Sequence, residues 1–117
     1  MKCTNKEQED IIVGEVVRIL KSQLETPTYD EVELSDRFSN GYELTLYRKL
    51  EDGSQFSRLI LLNVTIKETS EGNNLSVFRY GSLDILISEE KMLEIKYYMS
   101  LLKTKFIDLV IDKLKAI

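Results

Sequence analysis

The spacing of apolar positions along the chain changes twice. Between Ile12 and Leu24 it is helical, with Ile12, Val13, Val16, Val17, Ile19, Leu20 and Leu24 forming one stripe. Glu7, Glu15, Arg18, Lys21, Ser22 and Glu25 take the opposite side, so the pattern predicts an amphipathic helix from about Asn5 to Glu25. Thr4 followed three residues later by Glu7 has the form of a capping box, and Pro27 closes the helix.

From Tyr29 the period falls to two. Val32, Leu34 and Phe38 alternate with Glu31, Glu33, Ser35, Arg37 and Ser39, and Tyr42, Leu44, Leu46 and Leu50 repeat the alternation. A three-residue loop of Ser39, Asn40 and Gly41 sets Phe38 against Tyr42 and Leu34 against Leu46, with Gly41 in the left-handed position. Glu51-Asp52-Gly53-Ser54 reads as the next turn, and Phe56 to Lys67 as the longest strand. Its run Leu59-Ile60-Leu61-Leu62 is apolar on both faces, which predicts a central strand covered on both sides. A polar loop is expected over 68–74. Leu75, Val77, Leu83, Ile85 and Ile87 then carry a fourth strand, or two short ones if Gly81 divides them at a bend or bulge.

Ser88 before Glu89 and Glu90 is a helix start, and Lys113 and Lys115 suit the negative end of the dipole. The helix takes up most of Ser88 to Ile117. Its main apolar stripe is Met92, Ile95, Met99, Leu102, Phe106, Leu109 and Val110, and a second strip, Leu93, Tyr97, Ile107, Ile111 and Leu114, lies beside it. Together they cover more of the helix than one sheet face requires, so the first helix, a second copy or another protein must cover the surplus. The expected fold class is α+β: an antiparallel meander of four or five strands flanked by an N-terminal helix and a long C-terminal one, in a single domain over 1–117.

Composition agrees with a packed core: the 117 residues are 43% hydrophobic and 31% charged, near the globular average. Cys3 is the one cysteine, so no intramolecular disulfide forms. The polar start Met-Lys-Cys-Thr-Asn-Lys-Glu lacks the apolar stretch of a secretory signal. The longest aliphatic run is far shorter than the ~20 residues of a membrane-crossing helix. A cytoplasmic protein with no membrane partner is expected. The net charge of −4 opposes direct binding to nucleic-acid phosphates.

The chain has no histidine, which removes His-dependent triads and His-based metal sites, and with one cysteine thiolate zinc sites go too. No cofactor and no catalytic or metal-binding residue is expected. Asp84 with Glu89-Glu90-Lys91 has the letters of a metal-dependent nuclease, but that chemistry wants the Glu and Lys on a neighbouring strand, and here they open a helix. Phe78-Arg79-Tyr80, with Tyr47, Arg48 and Arg58, could stack single-stranded bases, but Glu31, Glu33 and Glu43 are interleaved with them. Cross-strand pairing of arginine with glutamate is the expected use.

The most uneven charge is acidic: Glu25, Asp30, Glu31, Glu33 and Asp36 occur with no base from Gln23 through Asp36. On an edge strand such charges block pairing with other chains. Alternatively Asp30, Glu31, Glu33 and Asp36 imitate a phosphate row and engage the basic groove of a nucleic-acid enzyme. Small proteins of phages and mobile elements, CRISPR nuclease inhibitors among them, act in this way. The main expectation is a non-enzymatic protein-interaction module, regulatory or inhibitory, that also forms a homodimer. Its binding surface is Leu93, Tyr97, Ile107, Ile111 and Leu114.

Overall fold

A computed structural model describes residues 6–35, 41–52, 55–79 and 81–115. The elements are α1 (Lys6–Glu25), β1 (Glu31–Ser35), β2 (Gly41–Asp52), β3 (Gln55–Thr69), β4 (Gly72–Phe78), β5 (Ser82–Ile87) and α2 (Glu89–Lys115). The five strands form one antiparallel sheet in the order β1-β2-β3-β4-β5, each strand paired with its neighbour in sequence. The fold is α+β.

Alternation along the strands decides the two faces of this sheet. Val32, Leu44, Leu46, Leu62, Val64, Ile66, Leu75, Ile85 and Ile87 are buried on one face and form one core with both helices. From α1 the core takes Val13, Val16, Val17 and Leu20, and from α2 it takes Ile95, Met99 and Leu102. The other face is polar, with Glu31, Glu33, Glu43, Thr45, Asn63, Thr65, Ser76 and Asp84. Asn63 donates to Glu43 and to Thr45 at 3.1 and 2.8 Å across the strands.

The helices lie side by side and run parallel. Glu9 accepts hydrogen bonds from the backbone N–H and hydroxyl of Ser88, Asp10 pairs with Lys91, Lys21 sits over the Tyr98 ring, and Lys105 donates to the Leu24 carbonyl. A parallel pair needs a long connection, and the whole meander supplies it. Ser88 caps α2: its hydroxyl accepts from the Lys91 N–H at 3.3 Å.

Three expectations are corrected and one alternative is decided. Leu34 pairs with Leu44, and Val32 with Leu46, so β1 is displaced by two residues from the register expected for a Ser39-Asn40-Gly41 loop. A shift of two keeps every side chain on its face, so the alternation could not detect it. Gly41 belongs to β2, opposite Lys67. Second, 68–74 is no open loop: Thr69 pairs with Gly72 across a tight turn. Of the two alternatives at Gly81, two short strands divided at a bend is the one found: Gly81 lies in the connection between β4 and β5, and the Arg79 N–H donates to its carbonyl at 3.1 Å.

Third, the run at Leu59 to Leu62 is not covered on both sides. Leu46 pairs with Leu62 but Tyr47 with Ile60, so Leu61 is the extra residue of a β-bulge. Leu62 is buried, while Leu59 and Ile60 are 46% and 42% exposed. Beyond the bulge, β2 and β3 continue as a two-stranded arm past the ends of β1 and β4. Thr4, Asn5, Asp36, Phe38, Ser39, Asn40, Gly53, Ser54 and Tyr80, invoked above for caps, loops and surfaces, lie outside the described residues. Among the described residues no helix is long and apolar enough to cross a membrane.

Candidate functional site

The second apolar strip of α2 lies on the helix face turned away from the core. At 100° per residue Leu93 and Ile111 coincide in direction, Tyr97, Ile107 and Leu114 fall within about 60° of them, and the core residues Ile95 and Leu102 point the opposite way. All five strip residues are exposed, from 42% at Ile111 to 65% at Leu114.

Helix length explains part of this exposure. The C-terminal end of α1 lies beside Lys105, whereas α2 continues to Lys115, roughly 15 Å further at 1.5 Å per residue. Leu109 and Val110, expected in the core stripe, are therefore about 40% exposed, because α1 has ended before they are reached. Phe106 still packs, with its ring 6.4 Å from that of Tyr29. Upstream, neighbours hold the strip in place. The Tyr97 ring meets Tyr98 edge-on at 5.2 Å, the Ser100 hydroxyl is 2.9 Å from that of Tyr42, and Lys96 lies over the Tyr42 ring.

Two residues of this face escaped the reading by hydrophobicity. Ser100 and Thr104 fill the gap between Tyr97 and Ile107, and the complete series, Leu93, Tyr97, Ser100, Thr104, Ile107, Ile111, Leu114, alternates steps of four and three. That alternation is the seam of a coiled coil. The signal lay in the spacing, and the two polar members concealed it.

The acidic residues are placed on the sheet edge and are largely engaged there. The Asp30 carboxylate accepts from the Lys49 N–H at 2.8 Å and continues the pairing of β1 with β2. Glu31 and Glu33 project from the polar face and converge on one guanidinium, that of Arg58, which lies over the Tyr47 ring at 3.8 Å. A hydrogen bond to Glu33, followed by burial, holds the Tyr47 phenol above its ordinary pKa. Asp36 lies outside the described residues; of the other three, the structure gathers Glu31 and Glu33 at Arg58 and ties Asp30 to the backbone of Lys49.

The nuclease-like letters are not assembled. Asp84 accepts from the Ser76 hydroxyl on the sheet, Glu89 opens α2, and Lys91 pairs with Asp10 of α1 at 3.3 Å. The hydrogen bond to Asp10 raises the Lys91 pKa. No group of three or more potential metal ligands occurs among the described residues. A cavity of about 350 Å³ lies where the arm overhangs α1, with Leu46, Leu59, Leu61 and Ile19 around it and Arg48 and Arg79 at its lining. Arg48 donates to the Thr28 carbonyl. The bulge that opens this cavity has no signature in the sequence.

No family model matches the chain, and neither a curated protein nor a solved structure matches it.

Proposed function

We propose that this chain is a non-enzymatic protein-interaction module, a small regulatory or inhibitory protein that works through the outer face of α2. The observation that carries the reading is the exposure of Leu93, Tyr97, Ile107, Ile111 and Leu114 in one strip on the side of the helix opposite the core. A helix apolar on two opposed faces gains stability only when both are covered, and the fold covers one. No cofactor is involved, and a cytoplasmic location belongs to the same proposal.

The test is affinity capture with the tagged full chain and with a double variant, Ile107→Gln and Ile111→Gln. Both positions are exposed and glutamine is a good helix former, so circular dichroism should be unchanged. Loss of the captured proteins, further copies of the chain included, supports the reading. Equal capture by the wild type and the double variant overturns it.

A second reading, an acidic inhibitor of a basic nucleic-acid enzyme, rests on the outward carboxylates of Glu31 and Glu33 on the edge strand. It has less support, because Arg58 already answers both carboxylates and Asp30 is tied to the backbone. Binding of this kind would weaken steeply with salt, since exposed charges are screened over about 10 Å at 0.1 M ionic strength. It would also fail in the double variant Glu31→Lys, Glu33→Lys.

A further inference from the structure

We propose that the occupant of the outer α2 face is a second copy of this chain, paired with it as a parallel two-stranded coiled coil. The inference rests on the protein-binding reading of that face and adds the partner and its orientation.

Spacing defines the seam. Steps of four and three from Leu93 to Leu114 place Leu93, Ser100, Ile107 and Leu114 at d and Tyr97, Thr104 and Ile111 at a. In a parallel pair related by a twofold axis each position meets its own copy. Leucine therefore packs on leucine and isoleucine on isoleucine, while the polar Thr104 layer meets its own copy and specifies the register; the Ser100 hydroxyl is engaged by Tyr42 of its own chain. β-branched Thr104 and Ile111 at a, with Leu93 and Leu114 at d, suit two strands, and Ile107 is the one apolar d position that does not. Most of the folded body lies on the side opposite the strip, and the sheet reaches the seam at Tyr42, beside Ser100 and Lys96.

Charge selects the orientation. In the parallel pair Lys103 at g reaches Asp108 at e of the other copy, twice per dimer. The antiparallel pairing that keeps apolar on apolar would lay Ile111 on the other copy's Leu93 and Ile107 on its Tyr97. It would then bring Glu94 beside the other copy's Asp108 and Lys103 beside the other Lys103. Like charges would meet at three places, so the parallel arrangement is preferred.

The available area is of the right order. Taking roughly 200 Å² for a large side chain, the exposed fractions of the five strip residues amount to on the order of 500 Å² of surface per copy. Leu101, Val110 and the aliphatic stems of Lys96 and Lys103 flank the seam and add to it. A stable interface takes about 800 Å² from each partner, so the strip supplies roughly two-thirds of it and these flanking side chains must supply the rest.

The experiment uses the full chain with Cys3→Ser, sedimentation velocity, and two single-cysteine variants under mild oxidation. Parallel pairing brings the d positions of the two copies within disulfide reach, about 4.4–6.8 Å between Cα atoms. The expected result is a dimer, an Ile107→Cys variant that cross-links to itself, and self-association at least tenfold weaker in the Ile107→Gln, Ile111→Gln variant. A dimer that cross-links only when Tyr97→Cys and Ile107→Cys chains are mixed overturns the parallel orientation, as does a dimer with neither cross-link. A monomer in concentrated solution overturns the second copy as occupant. The protein-binding reading would survive that last result if other proteins captured by the wild type are lost in the double-glutamine variant.

Discussion

Two glycines make opposite predictions under the same substitution. Gly72 follows the tight turn between β3 and β4 with a φ of +132°, and no described non-glycine residue has a positive φ. Ser70 and Glu71 thus turn the chain with negative φ, and Gly72 restores the direction of the returning strand. A Cβ added there meets no atom within 4 Å. The whole cost of Gly72→Ala is then conformational, about 1–2 kcal/mol for an L-residue with positive φ. Gly14 lies within α1, and a Cβ added to it also meets nothing within 4 Å. Alanine is better than glycine in a helix interior by about 1 kcal/mol, so Gly14→Ala should stabilise. For a chain of this length 1 kcal/mol corresponds to roughly 4 °C. Gly72→Ala should therefore melt about 4–8 °C below the wild type and Gly14→Ala about 4 °C above it. Urea titrations followed by circular dichroism should move the midpoint in the same two directions with an unchanged slope. An added Cβ at either site meets no other group within 4 Å, so the two changes share no partner and the double variant should show the sum of the two effects. Shifts of the same sign, or a Gly72→Ala midpoint equal to the wild type, would refute the argument.

Three further outcomes are expected. Tyr29 is 8% exposed and its hydroxyl has no hydrogen-bond partner among the described residues, so Tyr29→Phe should raise stability by about 1 kcal/mol in urea melts. Lost stability would mean that the hydroxyl has a partner. Arg58→Ala should lower the melting temperature by less than Gly72→Ala does. High salt should narrow its gap to the wild type without closing it, because the contact with the Tyr47 ring survives screening of the Glu31 and Glu33 pairs. Asp10 raises the Lys91 pKa, so this pair's contribution is fully present below the ordinary lysine value and is lost as pH rises through the raised one. An alkaline stability profile of Lys91→Met should lack that component.

The elements were legible wherever one face of the chain is buried and the other wet. The helical stripe from Val13 to Leu20 and the alternation from Tyr42 to Leu46 each bury the face they predicted. Pairing was less legible, because a two-residue shift of β1 leaves its faces unchanged. The bulge at Leu61 was illegible for a different reason: four aliphatic residues in a row carry no alternation, so a change of face within them leaves no trace. On α2 the five strip residues were identified as a surface, but which of the remaining apolar residues reach the core depends on where α1 stops. That is why Leu109 and Val110 were misplaced. The acidic residues were found by composition, whereas their convergence on Arg58 depends on the register of three strands.

The parallel alignment of α1 and α2 has a consequence for how the chain folds. Every strand pairs with its immediate successor, so the sheet can assemble from short loops with little closure entropy. The helix layer is different, for it joins Glu9 to Ser88 and Leu24 to Lys105 across the entire meander. During synthesis the first helix and all five strands are made before the α2 residues that complete the core. A chain at that stage carries a hairpin-built sheet whose inner face, around Leu44, Leu46, Leu62 and Val64, awaits half of its cover. On the ribosome α2 is thus the last of these elements available to dock, and until it is made the growing polypeptide displays that apolar face.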